Sequence, residues 1–172
     1  MVNRSNGQAA PGDLEAVRLL LNTWLIPNDT REPEDHLDAY VERSSVPRSQ
    51  LSQLKALRDD LRMAVERAGP TAEVVNPWVE RLAIQPRVAE EELNFGHEAG
   101  LAGDLVCAVL EAVASRHWHR LKACPDCRWI FYDHSRNASK RWCKMTAGGP
   151  DGRSCGSIAK VRAHRKRVRS TE

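Results

Sequence analysis

Apolar residues recur at helical spacing along the first two thirds of the chain. After Asp13, a residue type suited to cap a helix start, Leu14, Val17, Leu20, Leu21, Trp24 and Leu25 share one face until Pro27 closes the run. This predicts one amphipathic helix over 14–25. A polar loop, Asn28 to Glu32, leads to a short helix from Pro33 to Val41 with Leu37, Tyr40 and Val41 on its apolar side. Leu51, Leu54, Leu57, Leu61 and Val65 mark the clearest helix, which Gly69-Pro70 ends. Asn76-Pro77 reads as the cap and first residue of a short helical turn carrying Trp78 and Leu82. From Ala83 to Phe95 the pattern suits two short strands of a hairpin that turns near Glu90, Glu91 and Glu92. Leu105, Val109, Ala112 and Val113 predict a helix over 105–118 running directly into a cysteine-rich region, with a domain boundary at Leu121 to Ala123. Residues 1–11 have no apolar period and are expected to form a loose tail.

The chain has 172 residues, 41% apolar and 28% charged, which suits one domain plus a small appendage and excludes an unfolded polyelectrolyte. No apolar run reaches the ~18 residues of a membrane span, and Met1 to Pro11 lacks a signal-peptide pattern. The expectation is a cytoplasmic protein with no membrane partner. The net charge of +3 hides an asymmetry. Residues 1–115 carry 11 Lys and Arg against 19 Asp and Glu, a charge of −8, whereas 116–172 carry 15 against 4, a charge of +11. A basic end of this kind suits a polyanion, and the acidic body suits a separate regulatory or interaction role.

Five cysteines, an odd number, in a chain expected in a reducing compartment point to metal ligation or buried thiols rather than disulfides. Cys124, Cys127, Cys143 and Cys155 give the spacing C-x2-C-x15-C-x11-C. Two thiolates from one tight turn and two from a distant segment complete a tetrahedral shell, with Zn–S of ~2.3 Å. Zn2+ is the first candidate, and an iron–sulfur cluster is the other use of four thiolates. Four protein ligands leave no open position, so the ion is expected to be structural. His134 and His164 are the substitutes should one sulfur lie too far away. Cys107, inside an apolar helix, reads as an inert buried thiol. His117 and His119 read as surface or packing residues. Trp129, Phe131 and Trp142 read as the core of the small module. Asn22 and Trp24 could line a ligand pocket.

Basic residues surround this constellation. Arg136, Lys140, Arg141 and Lys144 precede or follow the third cysteine, and Lys160, Arg162, Arg165, Lys166, Arg167 and Arg169 follow the fourth. The last segment, Ser157 to Arg169, is expected to be a helix with a narrow apolar side of Ile158, Val161 and Val168. Arg162, Lys166 and Arg169 share its basic face, spaced to follow a row of phosphates.

The run C-R-W-I-F-Y-D-H-S-R-N-A-S-K-R-W-C-K-M, Cys127 to Met145, followed by C-G-S-I-A-K-V-R-A-H-R-K-R, Cys155 to Arg167, resembles the CGNR zinc-finger family. The N-terminal helix around Val17 to Trp24 and the Pro33 to Val41 helix resemble the ABATE domain that usually precedes this finger. The resemblance implies a bacterial, stress-induced transcription regulator whose finger binds DNA. Arg136, Asn137, Lys140, Arg141 and Lys160 match the family pattern. The chain departs from it in its short first C-x2-C pair, in the insert Thr146 to Ser154, and in Ser157-Ile158 where Asn and Arg are usual.

The expected fold is mainly α with a small β-hairpin: an ABATE-like helical domain over 12–120 and a CGNR-like finger over 121–169 ending in a basic helix. The expected function is DNA binding in transcription control through Arg136, Asn137, Lys140, Arg141, Lys160, Arg162, Arg165, Lys166 and Arg169. The first domain is expected to form a homodimer or to sense a small-molecule or protein signal. The alternative is a zinc-stapled, redox-sensitive module docking an acidic partner. With no activated-nucleophile spacing, phosphate loop or open metal position, enzyme activity is not expected.

Overall fold

Leu14, Val17, Leu20 and Leu21 form the buried face of α1 (Leu14–Leu21). They pack against the matching faces of α3 (Leu51–Arg67) and α5 (Gly100–Ala114). Leu20, Leu21, Leu54 and Leu57 are all 0% exposed, each worth about 1.5–3 kcal/mol of burial. Leu37 and Val41 of α2 (Leu37–Arg43) and Val75 and Trp78 of α4 (Thr71–Arg81) close the sides of this cluster. The computed structural model describes residues 7–28, 30–67, 70–144 and 154–169, with the side chains of 159, 162, 163, 165, 166 and 169 outside the description.

Three antiparallel strand pairs flank the helices among the described residues. β1 (Trp24–Leu25) pairs with β2 (Glu34–Asp35), β3 (Gln85–Ala89) with β4 (Glu92–Gly96), and β5 (Leu121–Ala123) with β6 (Ile130–Tyr132). α6 (Cys155–Arg169) ends the described chain. β5 lies on α3 and β6 on α1, and Leu121, Ile130 and Tyr132 join the same apolar cluster as the helices. The hairpin predicted near the glutamates is present. Its two-residue turn is Glu90-Glu91, at φ of 49° and 68°, the left-handed values of a type I′ turn usually given to Asn-Gly.

Several predicted boundaries move, each for a local reason. The first helix stops at Leu21 rather than Leu25, because Arg62 Nη1 donates to the carbonyls of Leu21 (2.6 Å) and Trp24 (3.0 Å) and turns the chain into β1. The second helix begins at Leu37, not Pro33, since Glu34 and Asp35 are taken up by β2 and Asp35 Oδ1 accepts from Leu37 N at 3.1 Å. Pro77 lies inside α4 rather than starting it. Val75 and Trp78 are both buried in the core, with Trp78 Nε1 donating to Asp60 Oδ2 of α3 at 2.9 Å, and that packing needs the helical turn before the proline. α5 ends at Ala114, not Trp118. His117 N bonds Ala112 O (2.7 Å) and Arg116 N bonds Val113 O (3.1 Å), a Schellman closure with Arg116 at φ 60° where glycine is usual. The continuous helix expected to enter the cysteine region is therefore replaced by a short 3-10 turn, Trp118–Arg120, and β5.

Part of the expected loose tail is packed. Gln8 O accepts from Tyr132 N (3.1 Å), and Ala10 N donates to Glu15 Oε2 (2.7 Å). Residues 1–6 lie outside the described residues.

Polar groups buried in the body point toward β6 and the loop before it. Arg18, 0% exposed, is held by both oxygens of Glu15 at 2.6 and 2.7 Å and reaches Ile130 O at 3.4 Å. Arg58 grips Asp35 bidentately at 2.6 and 2.9 Å, and this bond holds the Asp35 carboxyl below its ordinary range. Arg62, besides its two bonds at the end of α1, donates to Arg128 O at 2.9 Å and lies 4.6 Å over the Trp24 ring. Asn22, expected to line a pocket, instead donates to Ile130 O (2.8 Å) and accepts from Ile130 N (2.7 Å). Its amide is spent on β6, so it is not available to a ligand. Trp24 does line a shallow cleft of about 390 Å³, together with Asp35, Arg58, Arg62 and Glu66, which pair among themselves.

Asn22→Ala leaves the buried Ile130 amide without its acceptor. The expected cost is about 1–3 kcal/mol in urea unfolding with an unchanged denaturant slope. A change below about 0.5 kcal/mol would show that this bond does not hold β6 to α1.

Candidate metal centre

The β5–β6 hairpin turns through Cys124 to Trp129. Cys124 N bonds Trp129 O and Arg128 N bonds Cys124 O, both at 2.9 Å, with Arg128 in the left-handed region at φ 58°. This tight turn directs the Cys124 and Cys127 side chains to one place. Cys143 arrives beyond the loop that follows β6, and Cys155 is the first residue of α6. The four residues are 0%, 0%, 5% and 2% exposed, and their sulfurs all lie within 4.8 Å of one another.

The separations distinguish a metal shell from a disulfide. Cys127 Sγ and Cys143 Sγ are 3.6 Å apart, as are those of Cys143 and Cys155, far beyond the ~2.05 Å of a disulfide. A tetrahedron with Zn–S of ~2.3 Å has edges of about 3.8 Å. Zinc therefore fits the shell with small adjustments. The four cysteines are all free thiols in covalent terms. Bonding from Cys127 lowers the Cys124 thiol far below its ordinary range, while bonding to Cys124 raises Cys143 far above it. Thiolates this close repel one another, and a divalent cation is what lets all four ionise.

Phe131 is fully buried against the cysteines, with Trp129 and Trp142 partly buried beside it, so these rings form the core of the module. With four sulfurs assembled, neither histidine is needed as a substitute: His134 bonds Ala9 O at 2.7 Å, and His164 is exposed on α6. His117 packs edge-on to Tyr132, and His119 is exposed. Cys107 is remote in α5, and burial pushes its thiol up, as an inert thiol requires.

α6 starts on a reciprocal cap. Ser157 N donates to Ser154 Oγ (3.2 Å) while Ser154 N donates to Ser157 Oγ (3.0 Å), a capping box closed by serine. Ser157, where the resembled family usually has Asn, is thus a structural residue here. The cap puts Cys155 in the first turn, where the helix dipole favours a thiolate. Gly156 N bonds Lys144 O at 3.0 Å and ties α6 to the third ligand's segment.

The loop between β6 and Cys143 is fixed by Asp133, which is 0% exposed. One carboxylate oxygen accepts from Lys122 Nζ (2.8 Å) and Lys140 N (2.8 Å), the other from Ser135 N (2.9 Å) and Ser135 Oγ (2.6 Å). Burial works to raise this carboxyl, but the Lys122 ammonium, the Ser135 hydroxyl and the two amides outweigh it and hold it well below the usual range. Lys122 also donates to the carbonyls of Ala138 and Lys140.

The residues expected to contact nucleic acid divide accordingly. Arg136, Asn137 and Arg141 are exposed on or beside this braced loop, and Lys160 is exposed on α6. Lys140 is half-buried, 5.3 Å from the Phe131 ring, and Arg141 is 6.0 Å from the Trp142 ring. The side chains of Arg162, Arg165, Lys166 and Arg169 lie outside the described residues, as does most of the insert after Cys143. The apolar side expected on the last helix is not buried: Val161 and Val168 are 50% and 48% exposed, and Ile158 is half-buried.

Several contributors were missed in the sequence. Gln8 donates to Cys143 O (2.6 Å) and accepts from Trp129 Nε1 (2.9 Å), Ile26 N bonds Cys127 O (3.0 Å), and Asn28 and Arg31 approach the cysteine loops. They sit in a tail and a loop without periodic signal. Asp133-His134-Ser135 was legible in principle, since Asp two residues before Ser is a turn-forming pattern.

A family model, the CGNR zinc finger, matches residues 120–168, less than a third of the chain, and spans both strands of the cysteine hairpin and all four ligands. No curated protein matches the chain.

Purified without added metal, the chain is expected to carry about one zinc per molecule, and Cys155→Ser to lose most of it. Full zinc retention in Cys155→Ser would remove the fourth ligand from the shell.

Proposed function

We propose that the C-terminal segment is a zinc-stabilised DNA-binding module, and that the chain is a bacterial transcription regulator of stress responses. The observation that carries the reading is the Asp133-braced loop, which holds Arg136, Asn137 and Arg141 outward from a frame fixed by the metal shell. A braced backbone that carries cations loses less conformational entropy on meeting phosphates than a frayed tail does. The charge of +11 over 116–172 supports the same reading. Four thiolates and one Zn2+ add −2, so the metal leaves that segment strongly basic.

In this reading the zinc is structural, and the chain performs no catalysis. Arg136, Arg141, Lys160 and the basic face of α6 meet the phosphates, and Asn137, with its paired donor and acceptor, suits a base edge. The acidic N-terminal body, ABATE-like by resemblance, receives a signal or a second copy of the chain.

A second reading is favoured by a groove of about 530 Å³ between α3 and the cysteine hairpin. Ala64, Val65, Leu121, Ala123 and Pro125 supply apolar walls, with Lys140 and Arg141 among its cationic lining. Such a groove suits an acidic protein segment. A partner retained through nuclease treatment would favour this reading.

Fluorescence anisotropy with duplex DNA over a range of salt tests the first. Arg136→Ala combined with Arg141→Ala is expected to weaken binding and to lower the salt slope by about 1.8, or ~0.9 per lost phosphate contact. An unchanged affinity and slope would take the braced loop out of the DNA surface.

A further inference from the structure

The fourth cysteine has a partner from the opposite end of the chain. Asn28 Nδ2 donates to Cys155 Sγ at 3.2 Å, across 127 positions of sequence. The orientation of this amide is set from its other side, because Arg31 Nη1 donates to Asn28 Oδ1 at 3.4 Å. With its oxygen facing a guanidinium, the amide presents its N–H to the sulfur. The same Arg31 nitrogen donates to the Asp126 carbonyl at 3.1 Å and to Asp126 Oδ1 at 3.3 Å, between the first two ligands. Arg31 N closes the loop on Pro27 O (3.1 Å), and Ile26 N bonds the carbonyl of Cys127 (3.0 Å). Ile26, Arg31 and Asn28 thus touch the backbone of the second ligand, Asp126 between the first pair, and the sulfur of the fourth.

We propose that Asn28 is a positioning residue of the metal centre, oriented by Arg31, so that the N-terminal body sets how firmly the finger keeps Cys155. This rests on the zinc reading of the four cysteines and is independent of DNA binding.

The physical reason is the charge of the shell. Four thiolates around one divalent ion leave a net −2 in a buried pocket, and each N–H donated to sulfur withdraws part of it. A thiolate that loses its donor keeps more of that charge on its own sulfur, and the outer-shell bond that held it in place is gone. Cys155 reaches the shell from its own element, the start of α6, with eleven residues between it and Cys143, whereas Cys124 and Cys127 share one tight turn. Asn28 acts on the ligand that the helix α6 delivers. Since Cys155 also begins α6, a ligand or partner that shifts Asn28 and Arg31 changes metal retention and the anchoring of the basic helix together.

The test uses the full zinc-loaded chain and an excess of a colorimetric chelator, reading the rate of zinc release. Asn28→Ala is expected to release zinc about ten- to hundredfold faster than wild type, the range for loss of an outer-shell partner. Asn28→Asp keeps the shape but sets a carboxylate against the sulfur, and is expected to be faster still. Arg31→Ala, at a half-exposed position, is expected to show a smaller acceleration and serves should the Asn28 variants fold poorly. With Co2+ in place of zinc, the sulfur-to-metal absorption band is expected to move to lower energy in Asn28→Ala, which a packing role alone would not produce. Wild-type release from Asn28→Asp, or faster release from Asn28→Ala with an unmoved cobalt band, would overturn the assignment. Absence of zinc from the wild type would overturn the metal reading itself.

Discussion

Four sulfurs within 4.8 Å of one another in a buried pocket can all ionise only around a cation. That constraint organises the C-terminal end of the described chain. The β5–β6 hairpin delivers two ligands from one turn, and the Asp133 loop leads into the third. The serine cap of α6 fixes the fourth. One ladder of three residue pairs and a cluster of five buried residues are little on which to build a stable module, so a bound metal would supply much of what an apolar core supplies in the helical part.

The helical part and the metal module are joined by different physics from that which forms the helices. Apolar burial sets α1, α3, α4 and α5 against one another and extends to Leu121, Ile130 and Tyr132. The register of the docking is set by polar groups that satisfy particular backbone atoms: Asn22 on both sides of Ile130, Arg62 on Arg128 O, and Gln8 on Cys143 O. Burying a guanidinium is costly, and at Arg62 desolvation does lower its hold on the proton. Several carbonyls and the Glu66 carboxylate offset that cost, and in return fix one arrangement of the two parts. The acidic body and the basic end are thus connected through buried contacts rather than only through the chain.

What was legible in the sequence follows the same division. Helix α3 was readable because burial imposes a period, and the four cysteines were readable because tetrahedral coordination imposes a spacing. The end of α5 was not, since Arg116 fills a left-handed position where glycine would have marked the stop, at a cost of about 1 kcal/mol. β5 was hidden in the supposed domain boundary because three residues are too few to show alternation. The sequence shows only a loose tail around Gln8 and a polar loop at Asn28, because their partners lie more than a hundred residues away. Long-range polar contacts leave no periodic trace, and here they are what ties the metal centre to the rest.

Hydrogen exchange of the full chain, compared before and after zinc is removed by a chelator, tests that tie most directly. Ile26 N, whose acceptor is the carbonyl of Cys127, should lose protection together with Cys124 and Arg128, although it lies about a hundred residues away. Loss confined to residues 124–169, or no loss anywhere, would mean that the metal does not hold the two parts together.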